Sequence, residues 1–135
     1  MADLMRKIST PFALDFMAVA SYGAGARQSS GQPRIIMDVK TDIRERNVLV
    51  VEDIVDSGHT IKAVTDFLST RDPKSLRICS LLDKPERRET PITIDYLGFS
   101  IPDKFVFGYG FDIDEYYRGL PFIGTVITEK LHLVE

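Results

Sequence analysis

From residue 48 to residue 60 the chain reads VLVVEDIVDSGHT. The uninterrupted run Val48, Leu49, Val50, Val51 suits a strand buried on both faces of a parallel sheet. That strand ends in the carboxylate pair Glu52 and Asp53 and turns through Gly58. Residues 60–68 follow, with Ile61, Val64 and Leu68 on one face of a predicted helix and Thr60 or Ser57 near its start. A buried strand that feeds a helix through a short acidic loop restricts the chain to an α/β fold, and the rest of the sequence agrees with it. Residues 12–20, 34–39, 77–82 and 92–99 read as further strands, and 105–107 and 123–128 as shorter ones. Between them, residues 84–91 form a charged connection bounded by prolines, and residues 111–118 an irregular or short helical link. Residues 22–33, YGAGARQSSGQP, predict a long solvated loop of the kind that serves as a lid.

Leu4, Met5 and Ile8 suggest an amphipathic helix with only about two turns before Pro11, at ~3.6 residues per turn. It reads as the end of a longer helix, and a right-handed crossover into residues 12–20 wants a preceding strand. The expectation is a single domain over residues 1–135, truncated at its N-terminus. A length of 135 residues provides for one core, and 44% hydrophobic with 27% charged residues excludes a disordered tail, a collagen-like repeat and a coiled coil. No apolar run approaches the ~18–20 residues that cross a bilayer. A net charge of −3 and a pI near 5.4 argue against broad attraction to nucleic acid or anionic membranes, so an anionic ligand needs a specific site. The lone cysteine, Cys79, cannot form an internal disulfide and lies in an apolar stretch, which predicts an inert buried thiol and a cytoplasmic protein.

Ligands of open α/β sheets bind beyond the carboxyl ends of the strands, where the free N–H groups of the next helix favour an anion such as phosphate. The Ser57 and Thr60 hydroxyls add donors. Glu52 and Asp53 would repel a phosphate and make better sense as acceptors for sugar hydroxyls or as partners of a divalent metal. The expected ligand therefore carries both a phosphate and a diol. A triphosphatase P-loop is excluded, because Gly58 is the only glycine here and His59 follows it; a dinucleotide fingerprint would want glycine where Gln28 stands. The plainer alternative is a solvated acidic loop in which Asp56 or Ser57 caps the helix.

The whole string resembles the phosphoribosyl-pyrophosphate (PRPP) signature of the purine phosphoribosyltransferases. SLLDKPERR, IPDKFVFGYGFD and EYYRGLP downstream narrow the resemblance to the hypoxanthine-guanine phosphoribosyltransferases. That resemblance implies a type I phosphoribosyltransferase fold: a mainly parallel twisted sheet flanked by helices, with a small hood from the C-terminal part. It implies that Asp53, Ile54, Val55, Asp56, Ser57, Gly58, His59 and Thr60 wrap a ribose 5-phosphate while Glu52 and Asp53 face the ribose hydroxyls. Asp56 would accept the proton from purine N7 as general base. Lys84 would donate to the oxygen at C6 and so select 6-oxopurines over adenine. Lys104, Phe105 and Val106 mark the purine pocket, Phe105 by stacking and Val106 by its backbone. Asp112, with Glu52 and Asp53, would help hold Mg²⁺ against the pyrophosphate, which Arg118 would contact, and Ser21 with Tyr22 would open the lid segment.

The implied reaction converts PRPP and hypoxanthine or guanine to IMP or GMP and pyrophosphate in a cytoplasmic homo-oligomer, dimer or tetramer, with no nucleic acid or membrane partner. A rival function is a PRPP- or nucleotide-sensing regulator, or an inactive fragment of such an enzyme; relative to the family the chain lacks an N-terminal strand and a pyrophosphate loop. Each site residue also has a structural alternative. Lys84 reads equally as an exposed loop lysine, Phe105 as core, and Asp112, Asp114 and Glu115 as a solvated acidic turn. The last is not a calcium loop, since Tyr117 occupies its glycine position. His59 is expected to contribute its N–H alone, and His132 to be exposed.

Overall fold

A computed structural model describes residues 1–20 and 33–126. The chain divides into two compact units, Met1–Ser100 and Ile101–Glu135.

In the first unit the elements run α1 (Ala2–Lys7), β1 (Ala18–Ala20), β2 (Arg34–Met37), β3 (Asn47–Val55), α2 (His59–Ser69), β4 (Ser75–Asp83), a 3₁₀ turn (Pro85–Arg87) and β5 (Tyr96–Ser100). β3, β4 and β5 form a parallel sheet in that order, with Val50 beside Ile78 and Val55 beside Asp83. β1 and β2 form a separate antiparallel pair. α2 lies against the sheet through the three residues its periodicity marks, Ile61, Val64 and Leu68, all buried. Val64 and Leu68 pack with Ile43, and around them lie Val19, Val48, Val50 and Leu76. Ile61 joins Val55 and Ile78, with Ile92 and Ile94 alongside. Each such side chain contributes roughly 1.5–3 kcal/mol of burial. Arg71, just past the helix end, stacks its guanidinium 4.7 Å from the Phe67 ring centroid and pairs with Asp38.

Four strand expectations are corrected. β3 is longer than four residues and is not buried on both faces, since Leu49 is 42% exposed on the side α2 does not cover. Residues 12–17 are not strand: the Asp15 carboxylate accepts bonds from the Phe16, Lys40 and Thr41 N–H groups, which holds the segment through a side chain in place of a ladder. These bonds, led by that from Thr41, lower the Asp15 pKa to about 2. β5 begins at Tyr96 and not at Ile92, because the Asp95 carboxylate caps the Ile78 N–H while Ile92 and Ile94 pack as irregular chain. β2 ends at Met37, two residues early, and Asp38 bonds the Val39 N–H.

The segment preceding β1 and the length of β3 between Val48 and Glu52 line one cavity of about 920 Å³, with Leu4 and Met5 of α1, Met17, Val19 and Val64 among its walls. Among the described residues β1 pairs only with β2, and β3 only with β4. Cys79, on β4, is half-buried and not fully enclosed; burial pushes its thiol pKa up, which keeps it the poor nucleophile the sequence predicts.

In the second unit β6 (Val106–Phe107) pairs antiparallel with β7 (Gly124–Thr125). Phe105 precedes the first strand, and residues 127 and 128 of the second predicted strand lie outside the described residues. Residues 111–118 contain no helix. They fold back through bridges between Gly108 and Phe111 and between Ile113 and Tyr116, with Asp114, Glu115 and Tyr117 at positive φ. Val106 and Phe111 are buried, and the Phe107 and Tyr117 rings meet edge to face at 5.8 Å.

Candidate active site

Past the end of β3 the backbone turns through Asp56 and Ser57 to Gly58, which precedes α2 with φ +91°. Only glycine sits there without strain, and a Cβ would also approach the Thr90 carbonyl oxygen to 2.8 Å. Gly58 holds the cap position of α2 and has no side chain, and Asp56 does not cap the helix as the plainer reading offers, while the Ser57 hydroxyl accepts a long bond from the His59 N–H at 3.5 Å. The first-turn N–H groups beyond His59 keep their capacity for an outside acceptor.

The loop's carbonyls face one neighbour, the connection after β4. The Lys84 N–H donates to the Val55 oxygen at 2.9 Å, Arg88 Nε to the Asp56 oxygen at 3.2 Å, and the Glu89 and Thr90 N–H groups to the Ser57 oxygen at 3.0 Å each. The same connection delivers Lys84, only 8% exposed, with its ammonium 3.9 Å from Asp56 Oδ2. Arg87 Nε takes the other Asp56 oxygen at 3.0 Å. The surface-lysine alternative for Lys84 is therefore wrong, because its side chain is buried with the ammonium facing Asp56.

Glu52 sits partly buried near the end of β3, and burial first, then the adjacent Asp53 charge and a hydrogen bond that protonated Glu52 donates to Asp53, raise its pKa to about 7. Asp53 itself is exposed, one oxygen accepting the Ile54 N–H at 2.7 Å. Val55 is buried, whereas Ile54 and Thr60 are half-buried. Glu52 and Thr60 also line the cavity beside β3. The His59 ring is occupied structurally, Nε2 with Glu89 at 2.8 Å and Nδ1 with the Thr90 hydroxyl at 2.9 Å.

The second unit carries the remaining predicted residues. Lys104 and Phe105 are exposed, Phe105 at 59%, so Phe105 is not core; Val106 is buried. Asp112 accepts the Glu115 N–H at 2.8 Å and pairs with Arg118 at 3.0 Å, and Arg118 also reaches the Gly110 carbonyl and Glu115. The acidic turn is thus organised around one arginine. Among the described residues no three His, Cys, Asp or Glu side chains are grouped as a metal site. Ser21 and Tyr22, with the proposed lid and His132, lie outside the described residues. Arg87 and Arg88 were missed by sequence reasoning, although two adjacent arginines placed after the site lysine were a signal that the charged connection had a partner.

Comparison with known proteins identifies the family. Residues 1–115 match the phosphoribosyl transferase domain family. A hypoxanthine phosphoribosyltransferase of Buchnera aphidicola is 54% identical over 129 residues, 96% of this chain and 72% of that protein. A hypoxanthine-guanine phosphoribosyltransferase of Mycobacterium avium is 52% identical over 124 residues, 92% of this chain and 61% of the other. The crystal structure of a hypoxanthine phosphoribosyltransferase from Staphylococcus aureus superposes with a TM-score of 0.87 at 46% identity, covering 95% of this chain and 69% of that one.

Proposed function

The chain belongs to the phosphoribosyl transferase family, in its hypoxanthine and hypoxanthine-guanine branch and with the type I fold of that branch, and we propose that it performs their purine-salvage transfer. The observation that carries this reading is the pairing of a carbonyl-out phosphate cradle that includes Asp56 with the buried Lys84 ammonium, which the neighbouring connection after β4 brings to 3.9 Å from the Asp56 carboxylate. Purine N9 attacks C1 of PRPP, the C1–O bond breaks with its electron pair on pyrophosphate, and the proton on N7 passes to Asp56. Lys84 donates to the oxygen at C6, a bond that the amino group of adenine cannot accept. Residues 55–60 hold the 5-phosphate by N–H and hydroxyl donors, and Glu52 and Asp53 take the ribose hydroxyls. Phe105, exposed and flat, offers a stacking face to the base, with Lys104 and the Val106 backbone beside it; Arg118 serves the pyrophosphate, and Ser21 and Tyr22 the lid. On this reading residues 1–135 act as a single phosphoribosyltransferase domain.

The donor set suits magnesium. Glu52 and Asp53 are adjacent carboxylates, and Mg²⁺ commonly takes one or two carboxylates together with substrate phosphates and water. When bound, it neutralises charge on the leaving pyrophosphate; Asp112 is the third candidate ligand. A cytoplasmic location accords with the free Cys79 and with the described residues, of which no helix is long and apolar enough to cross a membrane. The apolar exposed strand β5, with Tyr96, Leu97 and Phe99, supports a homo-oligomer, dimer or tetramer. The test is formation of IMP from hypoxanthine and PRPP with Mg²⁺, beside adenine and a chelator. Turnover of the 6-oxopurine alone, abolished by the chelator, is expected; preference for adenine would overturn the base assignment, and full activity in the chelator the metal.

A further inference from the structure

A trans peptide points its carbonyl and the following N–H in opposite directions. The bonds on the Val55, Asp56 and Ser57 oxygens therefore turn the N–H groups of Asp56, Ser57 and Gly58 away from the connection after β4. Three donors aimed to one side are what an anion needs. Of the four groups seen to bind those carbonyls among the described residues, Lys84 N, Glu89 N and Thr90 N are backbone, and Arg88 uses its side chain. Its guanidinium spans two elements: Nε holds the Asp56 oxygen, and a terminal nitrogen pairs with Asp83 at the end of β4, the two side chains being 17% and 14% exposed. Its Cδ lies where it would be 3.2 Å from a Cβ on Gly58, so the stem covers the left-handed turn as well.

We propose that Arg88 is a positioning residue for phosphate binding: by fixing the Asp56–Ser57 peptide it presents the Ser57 N–H to the 5-phosphate, without touching substrate. This rests on the phosphate reading of the preceding subsection. Dissociation constants for IMP, ribose 5-phosphate and hypoxanthine are to be measured on the parent chain, Arg88→Lys, Asp83→Asn and the double variant Asp83→Asn/Arg88→Met, together with thermal unfolding. The double variant removes the guanidinium without leaving a buried carboxylate unpaired. Both Arg88 variants should fold, lose roughly fivefold to tenfold in affinity for the two phosphorylated ligands, the scale of one oriented donor, and keep their affinity for hypoxanthine. In turnover, KM for PRPP should rise while KM for hypoxanthine stays. Asp83→Asn should keep parental phosphate affinity, because the bond to the Asp56 oxygen survives. Unchanged affinity in the folded Arg88 variants overturns the inference alone, as does an equal loss for hypoxanthine or in Asp83→Asn. Failure of both Arg88 variants to fold would make Arg88 a structural residue and overturn it too. A parent that binds neither phosphorylated ligand overturns the phosphate reading and this inference with it.

Discussion

On the proposed reading Asp56 is where residue chemistry and loop geometry meet, since its carboxylate lies between Arg87 and Lys84 while its backbone belongs to the proposed phosphate loop. Asp56→Asn keeps the shape and removes the proton acceptor. The expected result is a fall of roughly 10²–10⁴-fold in single-turnover IMP formation with IMP affinity retained, the ordinary range for general acid–base catalysis. A parallel loss of IMP binding would instead make it a loop-shaping residue. Asp15 provides a titration far from that chemistry. Its folded pKa of about 2 lies below the ordinary 3.8, so its contribution is present above pH ~4 and disappears as pH falls through 2. Urea midpoints between pH 5 and pH 2 should fall more steeply for the parent than for Asp15→Asn; identical slopes would remove the three-bond role of Asp15. Lys84 shows what composition hides. A lysine before proline in a charged stretch reads as solvated, and its burial beside Asp56 of the loop after β3 is a long-range event invisible in local sequence.

The elements that were legible are those with a period of their own. Helix α2 follows from Ile61, Val64 and Leu68 at helical spacing, β3 from the unbroken run Val48–Val51, and β4 from a short, largely apolar stretch. Leu68→Ala should cost about 2–5 kcal/mol, read as a lower denaturant midpoint with an unchanged m-value, because Leu68 is 3% exposed between Ile43 and the sheet. A cost under 1 kcal/mol would mean that α2 is held mainly by its loops. At its other end, Gly58→Ala meets both a positive φ and the Thr90 oxygen, and should weaken nucleotide binding more than it lowers the unfolding temperature. Boundaries failed wherever an aspartate replaced the ladder, at Asp15 before β1 and at Asp95 before β5. Alternation alone cannot show that a carboxylate has taken a strand's N–H groups.

For the whole chain, the parallel class of the β3–β4–β5 sheet was legible, since strands alternating with helical segments require crossovers. The separation of β1 and β2 into their own pair was not, because sheet partners are chosen by contacts distant in sequence. Among the described residues β4 alone is paired on both sides, so its amides should be the slowest to exchange with deuterium, ahead of those of β3, whose other edge faces the 920 Å³ cavity. Equal protection of β3 and β4 would show that the β3 edge is covered in solution. On the proposed reading, the connection of residues 84–90 is at once the carrier of the base-reading lysine and the support of the phosphate loop, since it donates to the carbonyls of residues 55–57. For protein engineering this makes the two specificities inseparable at the level of segments. Transplanting the whole connection from a protein with another base preference would dismantle the grip on the sugar phosphate, so a change of base must be sought one side chain at a time, with the donors to residues 55–57 left in place.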